Sequence, residues 1–227
     1  MKVIDVLLCK EGSFSRLDAK SVMLNRNGDA MPHIAIDSLF ADEQNLSLEV
    51  KTKLKILRSI DCSLKTVSVR EICKKCGVSR ATFYYHFKSK NEIPLWYSKL
   101  IQKFTLSEVG RTLSWEEGLR VHFGLLYKER EFYVSTIDMV GQDFSKANMR
   151  SHRRDCLVET LTHFCNIPLT EEFEFYIGAY IDMEIERAQR WFASGMMIDS
   201  DTFARYLCNS VPRPLYEAFS ITSKPSF

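Results

Sequence analysis

The stretch SVREICKKCGVSRATFYYHFKSKNE, residues 68–92, limits what this chain can fold into more than any other. Ser68 followed by Glu71 has the spacing of a capping box, in which each side chain satisfies one free backbone N–H at a helix start. A helix therefore begins at Val69. Val69, Ile72, Cys73 and Cys76 recur at helical spacing, and Gly77 follows directly, placed to take the left-handed conformation that ends a helix. Val78 is placed to plug the space between two helices. Ser79 is a second N-cap, so a new helix starts at Arg80 after a turn of about three residues. Two short helices joined by a tight glycine turn make a helix-turn-helix, and the second of them is the candidate recognition helix.

The charge distribution agrees with a nucleic-acid partner. Between Lys65 and Lys103 stand nine Lys or Arg against two acids, a balance of +7 in a chain of net charge +2, so the remainder carries −5. A basic module of that size favours a phosphate backbone through counterion release, and an acidic remainder stays off it. With 227 residues and 45% apolar content, the chain can bury one large core or two modest ones. Seven Cys without a disulfide-type framework point to a reducing compartment. The opening MKVIDVLLCKEG is too short in apolar residues for a signal peptide, and no run approaches the ~18 needed to span a bilayer, so the expected location is cytoplasmic without membrane contact.

A helix is expected from Ser47 to Asp61, with Leu48, the Lys51 stem, Leu54, Leu57 and Ile60 on one face. Ser89 and Glu92 have capping-box spacing for a fourth helix from Lys90, in which Pro94 predicts a kink or a late start. From Trp115 onward helices are expected at 115–128, 130–143, 147–165, 171–195 and 200–219, with breaks at Asn166-Ile167-Pro168 and at Gly195. No alternating run is long enough for a sheet, so the fold class is all-α.

The residues VSVREICKKCGVSRATFYYHFKSKNEI resemble the DNA-binding domain of the TetR family of bacterial transcriptional regulators. The match is closest from Arg80 to Phe87 and through Lys88-Ser89-Lys90. It covers residues 48–100, and a weaker likeness in FYVSTIDMVGQDF and RWFASGMMIDSDTFARYLC is similar to the subgroup of the dihydroxyacetone kinase activator. Residues 1–45 read by composition as an N-terminal extension, a departure from TetR-like chains, which start closer to the first helix, and 221–227 as a tail. The resemblance implies a three-helix DNA-binding bundle with its helix-turn-helix over 46–100 and a helical ligand-binding and dimerisation domain over 101–220. The turn-rich LNRNGDAMPHIAID leaves two accounts of the extension open, a basic arm that touches DNA or sequence upstream of a start at Met23 or Met31.

On double-stranded DNA, Arg80 and Thr82 are the candidates for base edges, since Arg pairs bidentately with guanine and Thr meets a thymine methyl. Tyr84, Tyr85, His86 and Lys90 are assigned to phosphates, with Ser68 and Ser79 adding backbone or hydroxyl contacts. One short recognition helix reads only a few base pairs, so specificity calls for a palindromic site and a homodimer. By the resemblance the last helices form the dimer interface, with Phe175, Ala179, Met183, Phe203, Tyr206 and Leu207. A small-molecule or protein effector would act on the C-terminal domain, whose aromatic residues Phe123, Tyr127, Tyr133, Phe144, Tyr176 and Tyr180 are pocket candidates. The implied activity is that of a repressor. An effector-independent architectural DNA binder and a small α-helical enzyme are the rival readings. Cys73 and Cys76 have CxxC spacing, but both fall on the inward side of their helix and no second pair completes a zinc site, so neither metal nor cofactor is expected. His152-Arg153-Arg154-Asp155-Cys156 reads as a solvated helix face rather than a nucleophilic site.

Overall fold

The computed structural model describes residues 46–61, 63–136 and 142–220, and the side chains of 142–145 lie outside the description, as do the N-terminal extension and the tail. The chain divides between Ile93 and Pro94 into two compact units. All regular structure among the described residues is helical.

The first unit holds α1 (Leu48–Arg58), α2 (Val69–Cys76) and α3 (Arg80–His86). Leu54, Ile56, Leu57 and Ile60 pack with Leu64, Val67, Ile72, Phe83 and Phe87 into its core, all essentially without solvent contact. Burying each such side chain contributes about 1.5–3 kcal/mol, so these residues outweigh the modest helix propensity of three short segments. The expected α1 face is right only in its second half. Leu48 is 80% exposed and Lys51 lies at the surface, so the first turn of α1 stands clear of the core.

Helix α4 spans Glu92–Lys103, two residues later than the expected start at Lys90. The late start puts Pro94 in the first turn, where the missing N–H has no intrahelical partner to lose. The Ser89 capping box does not form as expected. Glu92 instead reaches back to accept the Lys88 N–H at 2.8 Å.

The second unit is built from α5 (Trp115–Lys128), α6 (Arg130–Thr136), α7 (Gln142–Glu159) with a π-turn (Thr160–Phe164), α8 (Glu171–Ala193), α9 (Ser200–Cys208) and α10 (Arg213–Ser220). Ser114 and Glu117 close a capping box on α5, Thr170 caps α8 and Asp199 caps α9. The expected helix over 200–219 is two helices. The first of them ends at Cys208 with Asn209 as its C-cap, and the second restarts as α10 at Arg213, directly after Pro212. The helix expected from 147 begins at Gln142 and runs out in the π-turn. The helix expected over 171–195 ends at Ala193, and the end of the helix expected over 130–143 lies outside the described residues.

Aromatic rings fill the core of this unit. Trp191 stacks on Phe203 at 4.5 Å between centroids, with Phe123 edge-on to both. Trp115 stacks on Phe219 at 5.4 Å and meets Tyr180 edge-on. A loop crosses α5 so closely that a β-carbon at Gly118 would lie 2.3 Å from Val109 Cγ2. Helices α7 and α8 are joined by ion pairs, Arg150 with Asp182 and Arg154 with Glu174 at the surface. Arg153 is buried instead. Its Nε donates to Glu184 at 3.2 Å and its Nη1 to the Leu106 carbonyl at 2.9 Å. This corrects the reading of His152–Cys156 as a solvated face.

His122 is also buried, and its Nδ1–H donates to Thr105 Oγ1 at 2.9 Å, because that hydroxyl spends its own proton on the Ile101 carbonyl. Burial, and then the charge of Arg153, push its pKa down to about 3 from an ordinary 6.5. The unfolded chain takes up this proton as pH falls through 6.5, whereas the folded chain refuses it until pH is near 3. Stability is therefore full above 6.5 and declines below it by about 1.4 kcal/mol per pH unit. Thermal unfolding followed from pH 8 to 4 should show that decline, and His122→Gln should flatten it. A wild-type profile level down to pH 4 would refute the assignment. Replacing Arg153 with Ala strands a buried Glu184 and should cost about 3–5 kcal/mol. The double variant Arg153→Met, Glu184→Leu should recover most of that in urea unfolding.

Candidate nucleic-acid interface

The local chemistry of α2 and α3 follows the sequence closely. Ser68 Oγ accepts the Glu71 N–H at 3.2 Å, and the Glu71 carboxylate accepts the Ser68 N–H and hydroxyl, both at 2.8 Å. The Ser68 backbone N–H, and then its hydroxyl, hold the Glu71 carboxyl below its usual range. Helix α2 stops at Gly77, whose φ of 64° and ψ of 28° are left-handed and would strain any side-chain-bearing residue. Ser79 then caps α3 by accepting the Thr82 N–H at 2.9 Å.

Phe83 anchors α3 in the core and Phe87 follows it, with their rings 5.9 Å apart. That anchoring turns Arg80, Ala81, Tyr84 and Tyr85 outward, and all four are exposed. Tyr85 is 84% exposed and stands edge-on to His86. Such a stripe of one cation, one methyl and two phenols on a single helix can reach base edges and phosphates together. Ala81 belongs to the stripe although its sequence gave no chemical reason to single it out. Its signal is positional, since it lies three and four residues before the two tyrosines.

The other sequence candidates are placed differently from one another. Thr82 is half-buried and its hydroxyl is 2.8 Å from that of Ser79, so its methyl is the group left to meet a base. The Ser68 hydroxyl is engaged by Glu71, and its evident work is capping. Burial, and then the charge of Lys53, lower the pKa of His86 below its ordinary value, so near pH 7 it is a neutral hydrogen-bonding group. Lys90 is half-buried, and its ammonium donates to the carbonyls of Lys65 at 3.0 Å and Val67 at 2.8 Å. Two of its three protons thereby hold the link that leads into α2.

The effector and dimer candidates fall in the second unit. Phe123, Tyr133 and Tyr180 are packed in its core, with Tyr133 stacked between Tyr97 and Phe192. Tyr127 is half-buried and stacks on Trp191, while Tyr176 bonds Glu172 at 3.0 Å. The side chain of Phe144 lies outside the described residues. Of the dimer candidates, Phe203 and Leu207 are buried within this chain, Met183 is half-buried, and Phe175, Ala179 and Tyr206 are exposed. Cys73 and Cys76 are both buried, and desolvation raises the Cys73 pKa. Among the described residues no helix is long and apolar enough to cross a membrane.

Lys90→Met keeps the aliphatic stem and removes both bonds to the linker, so it should lower stability in urea unfolding by about 1–3 kcal/mol. Unchanged stability together with weakened DNA binding would show that Lys90 serves a phosphate instead.

Comparison with known proteins bears on this unit alone. Residues 64–94 match the family of bacterial regulatory proteins described as the tetR family, and the stretches compared above with the kinase-activator subgroup lie beyond that match. No curated protein matches the chain. The matched segment runs from the linker through the capping box, the left-handed turn and the exposed stripe of α3 into the first turn of α4, so this chain carries a DNA-binding segment of the type found in bacterial regulatory proteins of the tetR family.

Proposed function

We propose that the protein acts as a homodimer on an inverted-repeat operator, as a repressor whose hold on DNA is set by an effector at the second unit. The exposed stripe of α3 carries the first part. Seven residues rise about 10 Å, enough for a few base pairs, so one copy reads too little sequence to find a single site in a genome. Two copies related by a twofold axis double the reading and impose a palindrome. The exposed Phe175 and Ala179 on α8 support a self-association surface there, with Gly178 beside them, where a β-carbon would meet no atom within 4 Å. Absence of bulk lets a partner helix approach closely, and exposed aromatic area rewards it.

Arg80 is assigned to a guanine edge, Thr82 and Ala81 to thymine methyls, and Tyr84 and Tyr85 to phosphates. An effector controls binding only by preferring one of two dimer states. The half-buried Tyr127 and Tyr176 are the pocket candidates that retain a solvent-facing side.

The test is fluorescence anisotropy on the DNA upstream of the protein's own gene, against a shuffled duplex, with sedimentation of the same sample. Preference for the native duplex by a dimer supports the proposal, whereas equal, salt-labile binding of both duplexes by a monomer rejects it. Arg80→Ala should reduce discrimination by about 1–3 kcal/mol while leaving affinity for the shuffled duplex nearly intact. Undiminished discrimination would remove Arg80 from the base contacts.

A further inference from the structure

The first turn of α1, which stands clear of the core, and the exposed Lys55 one turn further on form one wall of a groove of about 390 Å³ whose other wall is the α2–α3 turn. Lys51 and Lys55 lie on the α1 side, and Gly77, Ser79 and Thr82 on the other. None of the residues that line it is acidic. The Lys55 ammonium reaches across to the turn, since a β-carbon at Gly77 would lie 3.9 Å from its Nζ. Lys53 is paired with Glu49, and Lys75 with Asp61. Among the described residues no carboxylate is paired with Lys55.

The hydroxyls opposite are set up to donate. Ser79 Oγ and Thr82 Oγ1 are 2.8 Å apart, and either can be the donor. Two hydroxyl protons serve one mutual bond, so one O–H remains to be given outward. Ser79 Oγ already accepts the Thr82 N–H, which occupies a lone pair and leaves its own O–H able to donate. A cation facing a spare hydroxyl donor, in a groove whose lining holds no acidic residue, suits a phosphate oxygen. The groove borders the same helix whose outer stripe meets bases, so a phosphate held here would belong to the wall of the DNA groove that α3 enters.

We infer that this groove is a seat for a DNA backbone phosphate, with Lys55 as its cation and the Ser79–Thr82 hydroxyl pair as its donor, so that α1 grips DNA alongside the helix-turn-helix. The inference rests on the DNA-binding reading above. It gives a partner to Lys55, which stands exposed on α1 beside the buried Leu54 and Ile56. The Lys55 contact is blind to sequence, because an ammonium on a phosphate oxygen touches no base.

The salt dependence of binding separates this role from general charge. Anisotropy titrations of wild type, Lys55→Gln and Arg205→Gln against the upstream and shuffled duplexes give the slope of log K against log salt. Lys55→Gln should lower the magnitude of that slope by about 0.9, weaken both duplexes by the same factor and leave thermal unfolding unchanged, since Lys55 is exposed. Arg205→Gln, an equal loss of charge in the second unit, should leave the slope as in wild type. A Lys55→Gln slope equal to wild type overturns the inference, as does a loss confined to one duplex or an equal effect from Arg205→Gln. Failure of the wild type to bind either duplex would instead reject the DNA-binding reading itself.

Discussion

The left-handed turn at Gly77 is the constraint on which the N-terminal unit depends. A helix that ends there must hand the chain to a new helix within two residues, and the Ser79 cap makes that possible by accepting the Thr82 N–H at 2.9 Å. The direction of α3 follows from this geometry. Phe83 then fixes its rotation, because only one face of so short a helix can reach the core. With direction and rotation set, Arg80, Ala81, Tyr84 and Tyr85 have no choice but to face outward. The recognition surface is thus a by-product of a glycine backbone conformation and one buried phenyl ring.

The parts of this architecture that could be read in advance are those governed by neighbours in sequence. Ser68 with Glu71, Gly77, and Ser79 with Thr82 act over at most three residues, so the starts of α2 and α3 fall where spacing puts them. The starts at Trp115, Glu171 and Ser200 agree for the same reason. The division of the last helix was also local, marked by Pro212 directly before the restart at Arg213, and the apolar periodicity running through it concealed the break. Pro94 was legible as a disturbance but not as a choice between its two outcomes, because a late start depends on what else can satisfy the Lys88 N–H.

What stayed hidden depends on partners distant in sequence. Arg153 looks like one of several solvated arginines until Glu184, 31 residues away, and the Leu106 carbonyl, 47 away, close around it. Lys90 sits in a basic run and looks like a phosphate ligand, yet its nearest acceptors are two carbonyls 25 and 23 residues earlier. Charge alone does not say whether a lysine serves the fold or a ligand. The aromatic residues of the second unit pose the same difficulty, since Phe123 and Tyr180 have the composition of a pocket lining and are spent on packing against Trp191, Phe203 and Trp115.

The two thiols of α2 carry a further consequence. Cys73 and Cys76 have the spacing of a redox pair, but both are buried, and desolvation holds the Cys73 proton on its sulfur. A thiol that stays protonated and covered is a poor nucleophile. Oxidants and alkylating reagents can reach it only when α2 lifts away from its neighbours, and by then the recognition helix has lost its support. The pair is therefore a built-in clock for opening of the DNA-binding unit: the rate at which a maleimide consumes these sulfurs counts the moments when the protein is unable to hold DNA.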